Sequence, residues 1–199
     1  MDYKVETTHF HRRKLPHWEI KNGEYFITTR LADSLPCSAV EKISLLQREI
    51  GSAPSGSAIV TNLQRRYFQA LEKYLDAGSG ECVLKHDNIA AIVEQEIAAL
   101  SEWGVEVPHY TIMPNHLHGL IVPSAACTRN LSEIMKRLKG RAAHQMRVIL
   151  GGSGPIWQRE WFDHWIRDEA ERLRVIEYIR QNPTKAGLVQ RGVHHRWTR

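Results

Sequence analysis

Apolar positions recur along this chain with periods that mark out its elements. Tyr25 to Leu31 is rich in β-branched and aromatic residues and predicts a strand. Val40 to Ile50 carries apolar residues at 43, 46 and 50 and predicts a short helix, after which Gly51 to Ser57 reads as a flexible linker. Ile59, Leu63, Tyr67, Ala70, Leu71 and Tyr74 then share one face of a second helix. Residues 33–85 thus read as a helical insertion after the first strand, preceded by a basic N-terminal arm over 1–24. Asp87 suits the N-cap of a third helix striped by Ile89, Ile92, Val93, Ile97 and Leu100, with Gly104 as its stop. Strand-like runs follow at 105–113 and 117–122, with Pro114-Asn115 between them as a turn. Asn130 with Glu133 opens a basic helix to about Leu150, whose Leu131, Ile134, Leu138, Ala142 and Met146 face inward. Lys136, Lys139, Arg141 and Arg147 fall largely outside. An aromatic strand-like stretch spans 156–166, and a last helix runs from about 168 to 181, ended by Asn182-Pro183. Residues 184–199 form a short basic tail. Such an order argues α/β or α+β, with hairpins making the sheet at least partly antiparallel.

Composition narrows the class without naming a function. With 199 residues, 42% hydrophobic and 25% charged, the chain can bury roughly two-thirds of its unfolded surface in one domain. No apolar run approaches the ~20 residues of a spanning helix, and the first residues predict neither a membrane anchor nor a secretory leader. Cys37, Cys82 and Cys127 are scattered, which fits a reducing compartment better than a disulfide framework or a cysteine zinc site. The net charge of +5 is unevenly spread: +2 over residues 1–30, −5 over 31–128 and +8 over 129–199. A basic C-terminal third suits a polyanion, though solvated helix faces give the same signal.

The sharpest local feature is Asn115-His116-Leu117-His118-Gly119-Leu120. In an extended chain His116 and His118 share one face and Leu117 takes the other, so two imidazoles can meet one metal ion. Two unrelated surface histidines would leave the same pattern. On the last helix Leu173, Val175, Ile176 and Ile179 cluster, whereas Tyr178 lies on the flank with Arg174 and Asn182. Tyr178 and Asn182 are four apart and stack on one side, where a phenol and an amide oxygen could serve as nucleophile and ligand. A half-exposed tyrosine beside a helix-capping asparagine is the bland alternative. Trp157, Trp161 and Trp165 alternate and suit either base stacking or core packing, the latter for at least two of them.

Three blocks carry a family resemblance. Met113-Pro114-Asn115-His116-Leu117-His118-Gly119-Leu120-Ile121 resembles the metal motif of the single-tyrosine HUH transposases. Trp157 to Arg167 and Tyr178 to Val189 resemble their downstream motifs, and the match is closest to the REP-associated tyrosine transposases, within the insertion-sequence 200-like group. The strand through Leu31-Ala32-Asp33-Ser34-Leu35-Pro36 is similar to one subgroup, whereas residues 37–85 carry no recognised functional motif.

The resemblance implies an α+β, ferredoxin-like antiparallel sheet backed by helices, with the tyrosine helix packed across it. It implies Tyr178 as the nucleophile and His116, His118 and Asn182 as ligands of a divalent metal, Mg2+ or Mn2+. The implied reaction is cleavage and strand transfer of single-stranded, hairpin-forming repetitive extragenic DNA through a 5′-phosphotyrosine bond. A phenol of ordinary pKa near ~10 would need activation for it. Arg12, Arg13 and Lys14 in the arm, Lys136 and Lys139 on the basic helix and Arg174 beside the tyrosine are the expected DNA contacts, chiefly to phosphates. Asp163-His164 resembles a family block and reads as a buried pair or a DNA contact. Mobile members work as dimers with tyrosine helices exchanged, whereas a monomer is favoured here, in the bacterial cytoplasm at the nucleoid. The alternatives are a catalytically silent hairpin-binding regulator on the same fold, a replication initiator or relaxase, and a metal hydrolase that does not act on nucleic acid.

Overall fold

The computed structural model describes residues 7–12, 15–54 and 57–199, with the backbone alone at 9, 11 and 12. Two strands, β1 (Thr7–Arg12) and β2 (Pro16–Ile20), pair as a hairpin. After β3 (Tyr25–Arg30) come α1 (Cys37–Ser52), α2 (Ala58–Asp76) and α3 (Asp87–Ala98). The chain continues through β4 (Val105–Ile112), β5 (His116–Pro123), α4 (Leu131–Leu150), β6 (Phe162–Trp165) and α5 (Glu169–Lys185). The main sheet has the order β4-β5-β3-β6 with every neighbouring pair antiparallel. Read as β3-α3-β4-β5-α4-β6, this is a ferredoxin-like βαββαβ unit into which α1 and α2 are inserted after β3.

Strand alternation divides the interior in two. Tyr25, Ile27, Leu117 and Ile121 point into a core closed by α3 and α4, whose Val93, Ile97, Ile134, Leu138 and Met146 fill it. Phe26 and Leu120 point the opposite way, into a second core made with α1, α2 and α5. Helices therefore cover both faces of the sheet, and the insertion shares the second face with α5. That face receives His116 and His118, which have the same parity as Leu120.

Several expectations change. Over its described part the arm is the β1–β2 hairpin, which rests on β6 through a buried cluster: His17 hydrogen-bonds Asp163, and its Nε2 stands 2.7 Å from Glu160 Oε1. The buried Asp–His pair thus exists, with His17 as the histidine; His164 instead meets Glu171 at 2.8 Å. Asp87 is the first helical residue of α3, and its carboxylate accepts from Arg196 and Trp197 Nε1 in the tail and caps nothing. The aromatic stretch narrows to β6, preceded by a single bridge between Leu31 and Trp157. Ile59 and Leu173, grouped with the apolar faces of their helices, are exposed.

Helix α5 runs through Pro183 to Lys185 and does not stop before it. Proline removes one hydrogen bond and crowds the preceding turn. Here it lies in the last turn, buried beside Asn182, and Ala186 and Leu188 close the end by donating to Asn182 and Pro183 carbonyls. Asn182 is thereby held inside the helix, one turn beyond Tyr178. The tail lines the outer edge of β4, with Ile112 N–H donating to Trp197 O at 3.0 Å and Arg199 N–H to Tyr110 O at 2.9 Å. No helix among the described residues is long and apolar enough to cross a membrane.

Candidate active site

His116 and His118 open β5 and are wholly buried. Their outer nitrogens are fixed first. Asn115 donates to the carbonyls of Leu75 (3.3 Å) and Ser79 (3.1 Å), which leaves its Oδ1 to accept from His116 Nδ1 at 2.7 Å. Thr28, directly across the sheet from His118, holds His118 Nδ1 at 2.8 Å. Both Nε2 atoms are thus turned to one point, 3.1 Å apart. Such support of the far ring nitrogen sets tautomer and aim in metal-binding histidines.

The insertion adds a group that the sequence reading did not single out. Glu72, on α2, is buried at 4% exposure with Oε2 3.4 Å from His118 Nε2. Donor atoms of Glu72, His116 and His118 all lie within 4.8 Å of one another. Its signal in the sequence was faint. Phe68, Glu72 and Asp76 line the edge of an apolar stripe, where a carboxylate is ordinarily solvated.

Helix α5 supplies the rest. The Tyr178 hydroxyl donates a short hydrogen bond to Glu72 Oε2 and accepts one from Asn182 Nδ2 at 3.2 Å. Its ring lies 5.4 Å from that of His118 and 5.6 Å from that of Phe26. Lys185 sits 5.5 Å from the same ring and pairs with Asp76 at 3.4 Å.

Charge and burial act strongly here. Burial alone would raise the Glu72 carboxyl, but His118, then His116 and the Tyr178 hydroxyl, hold it down at about 2. Burial and the neighbouring His118 lower His116 to about 3, against the pull of Glu72 and Asn182. Burial first, then the Glu72 charge, drives Tyr178 far above the usual phenol range. The phenol therefore rests protonated.

The donor set fits a divalent cation. Two imidazole nitrogens and a carboxylate converge, and two further oxygens, Glu72 Oε1 and Asn182 Oδ1, are buried without a hydrogen-bond partner. Buried polar atoms are seldom left so, and an ion is one way to satisfy them.

The structure brings His116, His118, Tyr178 and Asn182 together. The basic candidates divide. Arg174 is exposed on α5 and borders a cavity that reaches Tyr178. Lys136 is exposed on α4, but Lys139 is tied down, donating to the carbonyls of Gln158 (2.7 Å) and Arg159 (2.9 Å). Both lysines border a groove sharing no residue with the one at Tyr178. Arg13 and Lys14 lie outside the described residues, and Arg12 is described only as the backbone end of β1. Trp157 and Trp161 are buried in the core, and Trp165 packs against it.

Comparison with known proteins gives a family. The family model described as "Transposase IS200 like" matches residues 83–182. An uncharacterized protein of Haemophilus influenzae is 29% identical over 99 residues, 40% of this chain and 54% of that protein, so the chain spans about half the length of this relative. Among solved structures, a REP-associated tyrosine transposase bound to a REP hairpin is similar at 18% identity and a TM-score of 0.49, over 90% of this chain and 75% of that one. A candidate transposase from Deinococcus radiodurans is similar at 14% identity and a TM-score of 0.38, over 80% and 89%.

Proposed function

The chain belongs to the IS200-like transposase family, and from that premise we propose that it is a divalent-metal-dependent endonuclease and strand transferase for single-stranded DNA beside hairpins of repetitive extragenic elements. The observation that carries this reading is the meeting, in one buried cluster, of the Tyr178 hydroxyl with Glu72, His118 and Asn182.

His116, His118, Glu72 and Asn182 would hold the ion, Mg2+ or Mn2+, the mixed nitrogen and oxygen donors suiting manganese best. When bound, it supplies Lewis-acid polarisation of the scissile phosphate and a field that favours the phenolate. Tyr178 Oη attacks phosphorus. The Oη–P bond forms as the P–O3′ bond breaks, giving a 5′-phosphotyrosine and a free 3′-hydroxyl. One proton leaves the phenol and one is taken up by the departing 3′-oxygen, so the step needs no oxidant or other co-reactant. The ester is conserved, and a second 3′-hydroxyl can reverse the step onto another strand. Asn182 holds the phenolic oxygen from one side, and Glu72 holds its proton from the other. In this reading the working unit is a monomer, and it acts in the cytoplasm at the nucleoid, where such a substrate lies.

A hairpin oligonucleotide with flanking single strand, incubated with Mn2+, tests the reading. Wild type should cleave it and leave a denaturation-resistant protein–DNA adduct, which Tyr178→Phe should not form. Equal cleavage by both would remove Tyr178 as nucleophile. Tight hairpin binding that persists in chelator, with no cleavage under any divalent ion, would instead identify a silent regulator on the same fold.

A further inference from the structure

A cavity of about 630 Å3 opens beside the Tyr178 ring, between the first half of α2, α5 and the end of β6. It is large enough for a ligand of nucleotide size. Its floor is aromatic. Phe68 lies 4.7 Å from Phe162 at an interplanar angle of 29°, 5.6 Å from Phe26 and 5.8 Å from Tyr178. Phe26 and Phe162 are buried, whereas Phe68 is half-buried and keeps a face toward the space.

The rim has the opposite character. Arg65 on α2 and Arg174 on α5 stand across it, both exposed, and neither has a hydrogen-bond or ion-pair partner among the described residues. Arg167, also on the rim, is held by Glu171, which keeps that carboxylate occupied. An apolar, flat floor under two unpaired guanidinium groups matches a ligand with a flat apolar face and anionic flanks. An unstacked nucleotide has that form, because bases stack on aromatic rings and guanidinium groups take phosphates.

We propose that this cavity is a nucleotide subsite, seating on Phe68 the base of the single-stranded nucleotide next to the scissile phosphate, with Arg65 and Arg174 on the adjoining phosphates. The inference rests on the proposed reading, because it places the subsite by its contact with the attacking tyrosine. It also gives the insertion a task, since Phe68 and Arg65 both belong to α2, where no family motif was recognised.

The test uses the full chain carrying Tyr178→Phe, which binds without cleaving, and a flanked hairpin in which 2-aminopurine replaces one flanking nucleotide at a time. Fluorescence should change at a single flanking position, and Phe68→Leu, which keeps apolar volume but no ring, should abolish that change. Affinity for the flanked hairpin should fall on the order of tenfold with Phe68→Leu, while the unflanked hairpin binds as before. Arg65→Gln and Arg174→Gln should each lower the slope of log affinity against log salt by about one. Unfolding midpoints and circular dichroism confirm that each variant is folded; if Phe68→Leu is not, Phe68→Tyr, which keeps the ring, and the two arginine variants carry the test. Unchanged salt slopes in both arginine variants, unchanged affinity in a folded Phe68→Leu, or equal fluorescence changes at every position, would overturn the subsite, whereas Phe68→Tyr should bind as wild type. Failure of the subsite alone is distinguishable, because the Tyr178-dependent adduct would still form at wild-type efficiency in Phe68→Leu on the otherwise native chain.

Discussion

Glu72 and Tyr178 share a short hydrogen bond across 106 positions of sequence. The carboxylate comes from the inserted helix α2 and the phenol from α5, so the insertion reaches the heart of the site. In the absence of a cation this pairing keeps the tyrosine protonated. A second positive charge near Glu72 would compete with the phenolic proton for the same oxygen.

Metal binding should therefore register as stability. Mn2+ at a hundredfold excess over its dissociation constant should stabilise the fold by about 2.7 kcal/mol relative to chelator, read as a rise in Tm. Glu72→Gln keeps an acceptor for Tyr178 but gives up the charge, and its Mn2+ affinity by isothermal titration should fall at least about tenfold. An unchanged affinity would leave Glu72 outside the ligand set.

Tyr178→Phe has a structural consequence separate from chemistry. It strips Glu72 of a donor and Asn182 of an acceptor inside a buried cluster. Leaving such groups unsatisfied costs about 1–3 kcal/mol. Urea unfolding in chelator should show a lower midpoint at unchanged slope.

The hairpin anchor gives a pH dependence with a definite sign. Burial by itself would lower His17, but Asp163 and Glu160 outweigh it and raise the imidazole from 6.5 to about 9. A raised folded-state pKa means that the stabilisation is complete below about 6.5 and is lost as pH rises through about 9. The span corresponds to roughly 3 kcal/mol at most. Denaturation midpoints measured across that window should fall in wild type and stay nearly flat in His17→Gln, which is the less stable protein at pH 6.

Lys136 and Lys139 should separate. Lys139→Ala removes two bonds to backbone carbonyls and should lower stability by about 1–3 kcal/mol. Lys136→Ala, at an exposed position, should leave stability within about 0.5 kcal/mol. If the groove along α4 takes DNA phosphates, Lys136→Ala lowers the salt slope of hairpin binding; an unchanged slope removes that lysine as a contact.

Much of the architecture was legible because periodicity reports burial. The stripe of α3, the Asn130–Glu133 capping box and the Gly104 stop all appear where the pattern places them. The two histidines could be assigned a common face from alternation alone. Long-range relationships were not legible. Nothing local tells that Glu72 turns inward, or that His17 and not His164 is the partner of Asp163, since each depends on elements joined only by folding. Pro183 misled for a related reason. Its steric preference is local, while the burial that holds α5 past it is tertiary.

The three elements that build the site are made at different times. A chain emerging from the ribosome presents Glu72 and then the two histidines well before Tyr178, which follows His118 by sixty positions. A product broken off between β5 and α5 would keep three of the four groups that could hold a cation and lack the proposed nucleophile. Under the proposed reading, strand-cutting competence arrives only when α5 docks across the sheet, so an unfinished transposase is harmless to the DNA around it.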